Sequence, residues 1–269
     1  MKKALLGATA VVAIVTLGVA IACGDSTTAV DKSALVFGPT VSFAQGSARA
    51  WVQTDAGGAA SSIGIALTET ALTGLPTSVS GPSPTAVMAS LPLPVEAAST
   101  GFDHAEIGWN PNGHDPVAIY GLPHFDMHFY TVSAATQAAI LPNDPQWATK
   151  AANVPGAAFV PTGYVSPPAP LAASAVPQMG VHWTDVKSPE FNGQGFSSTF
   201  IYGSWDGQFI FLEPMITKAY LDGHPANVTK NIPQPAQWGK PGSYPTTYTV
   251  NYDGSAKEFR ITLGGLTKR

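Results

Sequence analysis

Apolar and polar residues alternate with a period of two in several stretches, each interrupted by turn-forming residues. From Ala48 to Thr54, Arg49, Trp51 and Gln53 alternate with Ala50 and Val52. Asp55-Ala56-Gly57-Gly58 then supplies turn chemistry, and Ser62 to Thr68 alternates again with Ile63, Ile65 and Leu67 on one face. This period places successive side chains on opposite faces of a strand and predicts a hairpin. A second hairpin is predicted over Phe196 to Pro214, turning at Asp206-Gly207. That pair suits a two-residue turn in which both central residues take positive φ. A third runs from Thr246 to Leu263 and turns at Asp253-Gly254. Such hairpins predict a mainly β, antiparallel fold, either a sandwich or an open barrel.

Helices are predicted to be few and short. Ser133 to Leu141 is Ala-rich, and Asp144-Pro145 reads as an N-cap followed by Pro in the first turn of a helix that ends before Pro155. Thr85 to Leu91 and Val95 to Ser99 suit helix or strand. Residues 155–177 hold six prolines among scattered apolar residues, which predicts an extended covering loop. Pro225 to Pro245, with Trp238 and Tyr244, reads as a second such segment.

With 269 residues and 45% hydrophobic content, the chain can bury one large core. A single β-rich domain is expected over residues 35–269, with residues 222–269 open to being a C-terminal extension. The N-terminus is different. Lys2 and Lys3 precede nineteen uncharged residues, Ala4 to Ala22. Val19-Ala20-Ile21-Ala22-Cys23 has the form of a bacterial lipobox, in which an export signal is cut before a cysteine that becomes lipidated. Cys23 is the sole cysteine, so an intrachain disulfide is excluded. These features predict a lipoprotein signal peptide (1–22), an acylated, palmitate-bearing Cys23 as membrane anchor, and a polar tether over 23–34. The expected place is the cell envelope, facing outside the cytoplasm. Gly24 in place of an Asp favours the outer membrane where one exists. Removal of Lys2 and Lys3 leaves 11 of the 13 basic residues against 17 acidic ones, formally −6. No basic footprint for nucleic acid is visible. Association into a homo-oligomer is compatible with the sequence.

The candidate chemistry lies in the histidines. Four of six fall within residues 104–128. In Pro123-His124-Phe125-Asp126-Met127-His128-Phe129-Tyr130, a strand places His124, Asp126 and His128 on one face and the apolar residues on the other. At the usual rise, same-face residues two apart are about 7 Å apart at Cα and residues four apart about 13 Å. His124 and His128 therefore cannot share one ion on a straight strand, although a bulge would bring them closer. His182, in Met179-Gly180-Val181-His182-Trp183, and Glu213 are the further ligand candidates. Across the 206–207 turn, Glu213 is expected opposite Phe200, on a face with Tyr202, Phe209 and Phe211; a carboxylate among aromatics must be paired, metal-bound or protonated. His114 lies in a loop that could reach over a site. His104 reads as a solvated loop or strand-end group, and His224 as a packed or surface imidazole. The expected metal set is His124, His128, His182 and Glu213. Glu213 would be fourth ligand or general base, and Asp126 would orient a ligand imidazole. Imidazole with carboxylate suits a divalent ion, zinc first. A buried hydrogen-bond network without metal is the competing reading.

The segments Pro123–Tyr130, Met179–Trp183 and Phe200–Thr217, with Ala71–Pro76 and the Trp109–Pro116 loop, resemble the TTHB210-like family of exported bacterial proteins. The resemblance would cover roughly residues 35 to 220. It implies an approximate fold and an extracytoplasmic setting but no reaction. The His-x-x-x-His spacing departs from the closer His-x-His pair of cupins, and no nucleophile elbow, P-loop or dinucleotide fingerprint is present. Two functions remain: a surface-tethered metalloprotein, or a non-catalytic envelope lipoprotein for ligand binding or assembly. The second is favoured by aromatics expected to be exposed in loops, Trp109, Trp205, Trp238 and Tyr244.

Overall fold

Two antiparallel sheets face each other across an apolar core in the computed structural model, which describes residues 31–80 and 83–269. The export signal and Cys23 lie outside the described residues. Asp31–Arg269 form one compact unit by their contacts, and among the described residues no helix is long and apolar enough to cross a membrane.

The first sheet is built from β1 (Leu35–Phe37), β2 (Val41–Phe43), β3 (Gly46–Thr54), β4 (Ala60–Thr68), β12 (Val228–Asn231), β14 (Thr247–Asp253) and β15 (Glu258–Gly264). Its order is β1-β3-β4-β15-β14-β12, with β2 also on β3. The second sheet is built from β5 (Val87–Pro92), β6 (His104–Asn110), β7 (His124–Tyr130), β8 (Tyr164–Val165), β9 (Val181–Asp185), β10 (Ser198–Trp205) and β11 (Gln208–Thr217). Its order is β5-β6-β7-β11-β10-β9-β8. A small pair, β13 (Ser243–Tyr244) and β16 (Thr267–Lys268), stands apart. The sheets have free edges and form a sandwich, not a barrel.

The predicted hairpins are present. Asp55 Oδ1 accepts from Gly57 N and Ala59 N in the first turn. Asp206 and Gly207 have φ of 47° and 81°, both positive, as the two-residue turn requires. The third turn is longer than Asp253-Gly254; Asp253 Oδ1 accepts from Ser255 N and Ala256 N before β15 begins. Residues 222–269 supply β12, β14 and β15, and β15 is clamped between β4 and β14. Ile63, Ile65 and Leu67 of β4 and Phe259 and Ile261 of β15 meet Ile107, Phe125, Met127 and Phe129 of the second sheet in one core. Burial of each such side chain contributes roughly 1.5–3 kcal/mol.

The apolar residues of β7 therefore face the first sheet, and His124, Asp126, His128 and Tyr130 face the other way. That outer face is also buried, under a layer of loops. Leu171, Ala172, Ala175 and Met179, from the Pro-rich segment and the residues after it, pack with Tyr130, Val181, Trp205 and Phe211. The 110–123 loop, carrying the short helix α1 (Val117–Tyr120), packs with Phe196, Ile201 and Met215.

Two sequence expectations are corrected. Glu213 pairs with Ile201, not Phe200, because the register shifts between Gly203 and Ser204. Ile210 is the extra residue, and a one-residue bulge reverses the faces beyond it. Phe209 thus packs inward near Tyr202, at 5.2 Å between ring centroids, whereas Glu213 and Phe211 share the outer face. The aromatics expected in open loops are covered as well. Trp109, Trp205 and Tyr244 are buried, and Trp238 stacks on Tyr244 at 3.7 Å.

Candidate metal centre

Strand pairing gathers polar residues onto the covered outer face. β6 sets Glu106 beside His128, Gly108 beside Asp126 and Asn110 beside His124. On the other side of β7, Phe211 pairs with Tyr130 and Met215 with Asp126. Continuing that register puts Glu213 beside His128. His182 of β9 pairs with Gly203 of β10. Gly203 has no side chain, and the Phe211 ring lies over it.

His128, His182 and Glu213 form one cluster, with a potential ligand atom of each within 4.8 Å of the others. His128 Nε2 is 3.4 Å and His182 Nε2 is 3.8 Å from Glu213 Oε2. Ligands bound at 2.0–2.1 Å to one tetrahedral ion stand about 3.3 Å from each other, so small movements close the set. His128 and Glu213 are 0% exposed, whereas the His182 side chain retains 20%. Both nitrogens of His128 and both oxygens of Glu213 lack a hydrogen-bond partner. Unsatisfied buried polar groups cost about 1–3 kcal/mol each, so four on two facing side chains need a reason.

Burial pushes the His128 imidazole down to about 4. Burial and then the charge of His128 push His182 down to about 3. Both rings are neutral near pH 7 and hold a lone pair for a metal. Burial and then the neighbouring Asp126 carboxylate hold Glu213 well above the ordinary carboxylate range. That direction favours the protonated carboxyl, whose proton an ion would displace.

His114, His124 and Asp126 form a second cluster, again with ligand atoms within 4.8 Å. His124 Nε2 is 3.0 Å from Asp126 Oδ1, and His114 Nε2 is 3.5 Å from Asp126 Oδ2. Each ring is oriented from behind: His124 Nδ1 donates to Leu122 O at 2.6 Å and His114 Nδ1 to Asp115 O at 2.9 Å. Asn110 Nδ2 donates to Asp126 Oδ2, and Thr85 Oγ1 to Asn110 Oδ1. Burial alone would raise the Asp126 carboxyl, but His124 and His114 hold it well below the ordinary range.

The four residues expected to share an ion are thus divided. His128, His182 and Glu213 converge, while His124 turns to Asp126 and His114. The straight, unbulged run of β7 keeps the two imidazoles on one face but apart. Asp126 contacts His124, one of the candidate ligand imidazoles, and His114. His104 is a further correction: it is 5% exposed. It is stacked on Tyr130 at 4.8 Å. Its Nε2 lies 2.9 Å from Gln137 Oε1, and Gln137 Nε2 donates to Glu106 Oε2. Glu106, Asn110 and Gln137 complete the polar surroundings of the clusters, and alternation in His104-Ala105-Glu106-Ile107-Gly108-Trp109-Asn110 is the signal that puts the polar residues of β6 on one face. His224 lies outside both clusters, stacked on Tyr252 at 4.0 Å.

The pH dependence of stability follows from these protonation states. A depressed histidine binds its proton in the unfolded chain before it does in the folded one. Its stability contribution is complete above the unfolded value near 6.5 and is lost on acidification toward the folded value. His128 and His182 both act in this sense between pH 6.5 and about 4. Glu213, raised on folding, acts in the opposite sense above pH 4.5. Between pH 5 and 6 the zinc-bound protein is expected to take up more protons on unfolding than the metal-free protein does, because Glu213 is then ionised in the fold. Urea unfolding at stepped pH, with chelator and with zinc, measures both slopes; equal slopes would refute this assignment.

The family model of the TTHB210-like family, described as hypothetical protein TTHB210, matches residues 55–109. This stretch runs from the turn after β3 through β4 and β5 into β6. It includes Ala71–Pro76 and Trp109 but stops short of β7, β9 and β11, which carry most of the clustered histidines and carboxylates. Among curated proteins and among solved structures, none matches. Over residues 55–109, the chain is similar to the TTHB210-like family.

Proposed function

We propose that this protein is an envelope lipoprotein, anchored through Cys23, that holds a divalent metal ion between His128, His182 and Glu213. Zinc is the first choice. The observation that carries the reading is the convergence of His182 on two fully buried side chains whose four polar atoms find no hydrogen-bond partner. An ion would satisfy the facing nitrogen and oxygen and turn a destabilising pair into a bound centre. Three protein ligands leave a coordination position for water, on the side where His182 is partly exposed. A zinc ion there would lower the pKa of that water toward neutrality and make it a nucleophile. The chain contributes the orientation of both rings and a dry wall: Phe211 lies 4.8 Å from the His128 ring and 5.3 Å from the His182 ring.

The test is the metal content of tag-free protein after zinc loading and desalting. His182→Ala is expected to lose the zinc equivalent held by the His128 cluster at unchanged circular dichroism, because His182 sits at the edge of that cluster. Retention of that zinc would sink the proposal. The anchor is tested separately. Cys23→Ser, expressed in a bacterium with a lipoprotein pathway, is expected to lose palmitate labelling and partition into the aqueous phase of a detergent extraction. Unchanged labelling would remove the lipoprotein reading.

A further inference from the structure

We propose that the two clusters together form a single centre for two divalent ions, the second ion held by His114, His124 and Asp126. The two-ion part rests on the metal site proposed above; the second site rests on different residues. Both sets project from one face of one sheet. Asp126 and His128 are two residues apart on β7, about 7 Å along the strand. Glu213 lies beside His128 and Met215 beside Asp126, so Glu213 is diagonal to Asp126 across the β7–β11 ladder. Diagonal neighbours are within reach of each other's side chains, and the charge of Asp126 acts on the Glu213 carboxyl. The two carboxylates thus form the wall between the sites.

The second set is built to hold an ion. Both rings donate Nδ1–H to backbone carbonyls, which leaves Nε2 as the atom turned toward Asp126. Such bonds fix the tautomer and aim of metal-binding histidines. His124 is 0% exposed. Its Nε2 and Asp126 Oδ1 lie 3.0 Å apart, yet neither has a hydrogen-bond partner. Two imidazoles and one carboxylate on each ion select zinc, cobalt, nickel or copper over calcium or magnesium. A second ion beside the first would supply a second Lewis acid for chemistry at an oxygen held there.

The experiment uses tag-free protein stripped with chelator and titrated with zinc, then loaded with Cu(II) for electron paramagnetic resonance. Wild type is expected to bind two equivalents of zinc and to give a half-field signal from a coupled copper pair. His114→Ala, which alters a loop residue with a 20% exposed side chain, is expected to bind one equivalent and lose the half-field signal. His182→Ala should do the same. Asp126→Asn serves as a second variant if His114→Ala does not fold. One equivalent in wild type, retained by His114→Ala, would overturn the second site and leave the first. One equivalent lost in His114→Ala but kept in His182→Ala would overturn the first site and the two-ion centre together. Two equivalents without copper coupling would overturn the single centre.

Discussion

Gly203→Ala is expected to destabilise the fold by about 3 kcal/mol or more and to abolish metal uptake at the His128 cluster. A Cβ at this position would lie 1.9 Å from Phe211 Cζ, 2.0 Å from Cε1 and 2.5 Å from Cε2. The ring cannot slide aside cheaply. It packs against His128, His182 and Tyr130, with ring centroids 4.8, 5.3 and 5.3 Å away. The substitution therefore drives a wedge between the two imidazoles. Chemical denaturation gives the loss in stability, and zinc titration well below the melting temperature gives the loss in binding. A variant that folds with wild-type stability would show that this contact is not the constraint it is taken to be.

Glu213→Leu should separate stability from binding. Leucine fills most of the same volume without a polar atom. It removes two buried oxygens that have no partner in the fold. The metal-free variant is expected to be more stable than wild type by about 1–3 kcal/mol, the cost of such groups. Zinc affinity is expected to fall more than 100-fold, since loss of groups that merely orient a ligand already costs 10–100-fold. A residue kept for structure would show the reverse, with stability lost on replacement. Urea midpoints in chelator, compared with zinc titrations, decide between the two. A less stable variant that binds zinc as tightly as wild type would remove Glu213 from the centre.

Much of this arrangement was legible in the sequence because it depends on local periodicity. The alternation of β7 gave both the buried face and the polar one, and strand rise already argued against the single metal set in which His124 and His128 were both expected. The Asp206-Gly207 turn fixed which strands follow each other. What escaped depends on contacts between distant segments. The bulge at Ile210 leaves no pattern in its own residues, yet it moved Glu213 from Phe200 to Ile201 and Phe209 to the opposite face. His104 read as solvated because Gln137 and Tyr130, which bury it, lie 33 and 26 residues away. Trp109 looked exposed until the Pro76 carbonyl, which accepts its indole N–H at 2.8 Å, closed over it. A covering layer of loops has no period to read.

The placement of β15 bears on how the molecule is assembled as it is synthesised. The site-bearing sheet comes from one continuous stretch, residues 87–217, whereas its partner is stitched from both ends of the chain. Until residues 258–264 emerge, β4 and β14 lack the strand that joins them. The apolar side of β7 would have only part of its cover. Completion must therefore wait until residues 258–264 have been made, and products shortened before them would carry oily, aggregation-prone surfaces however intact their histidines.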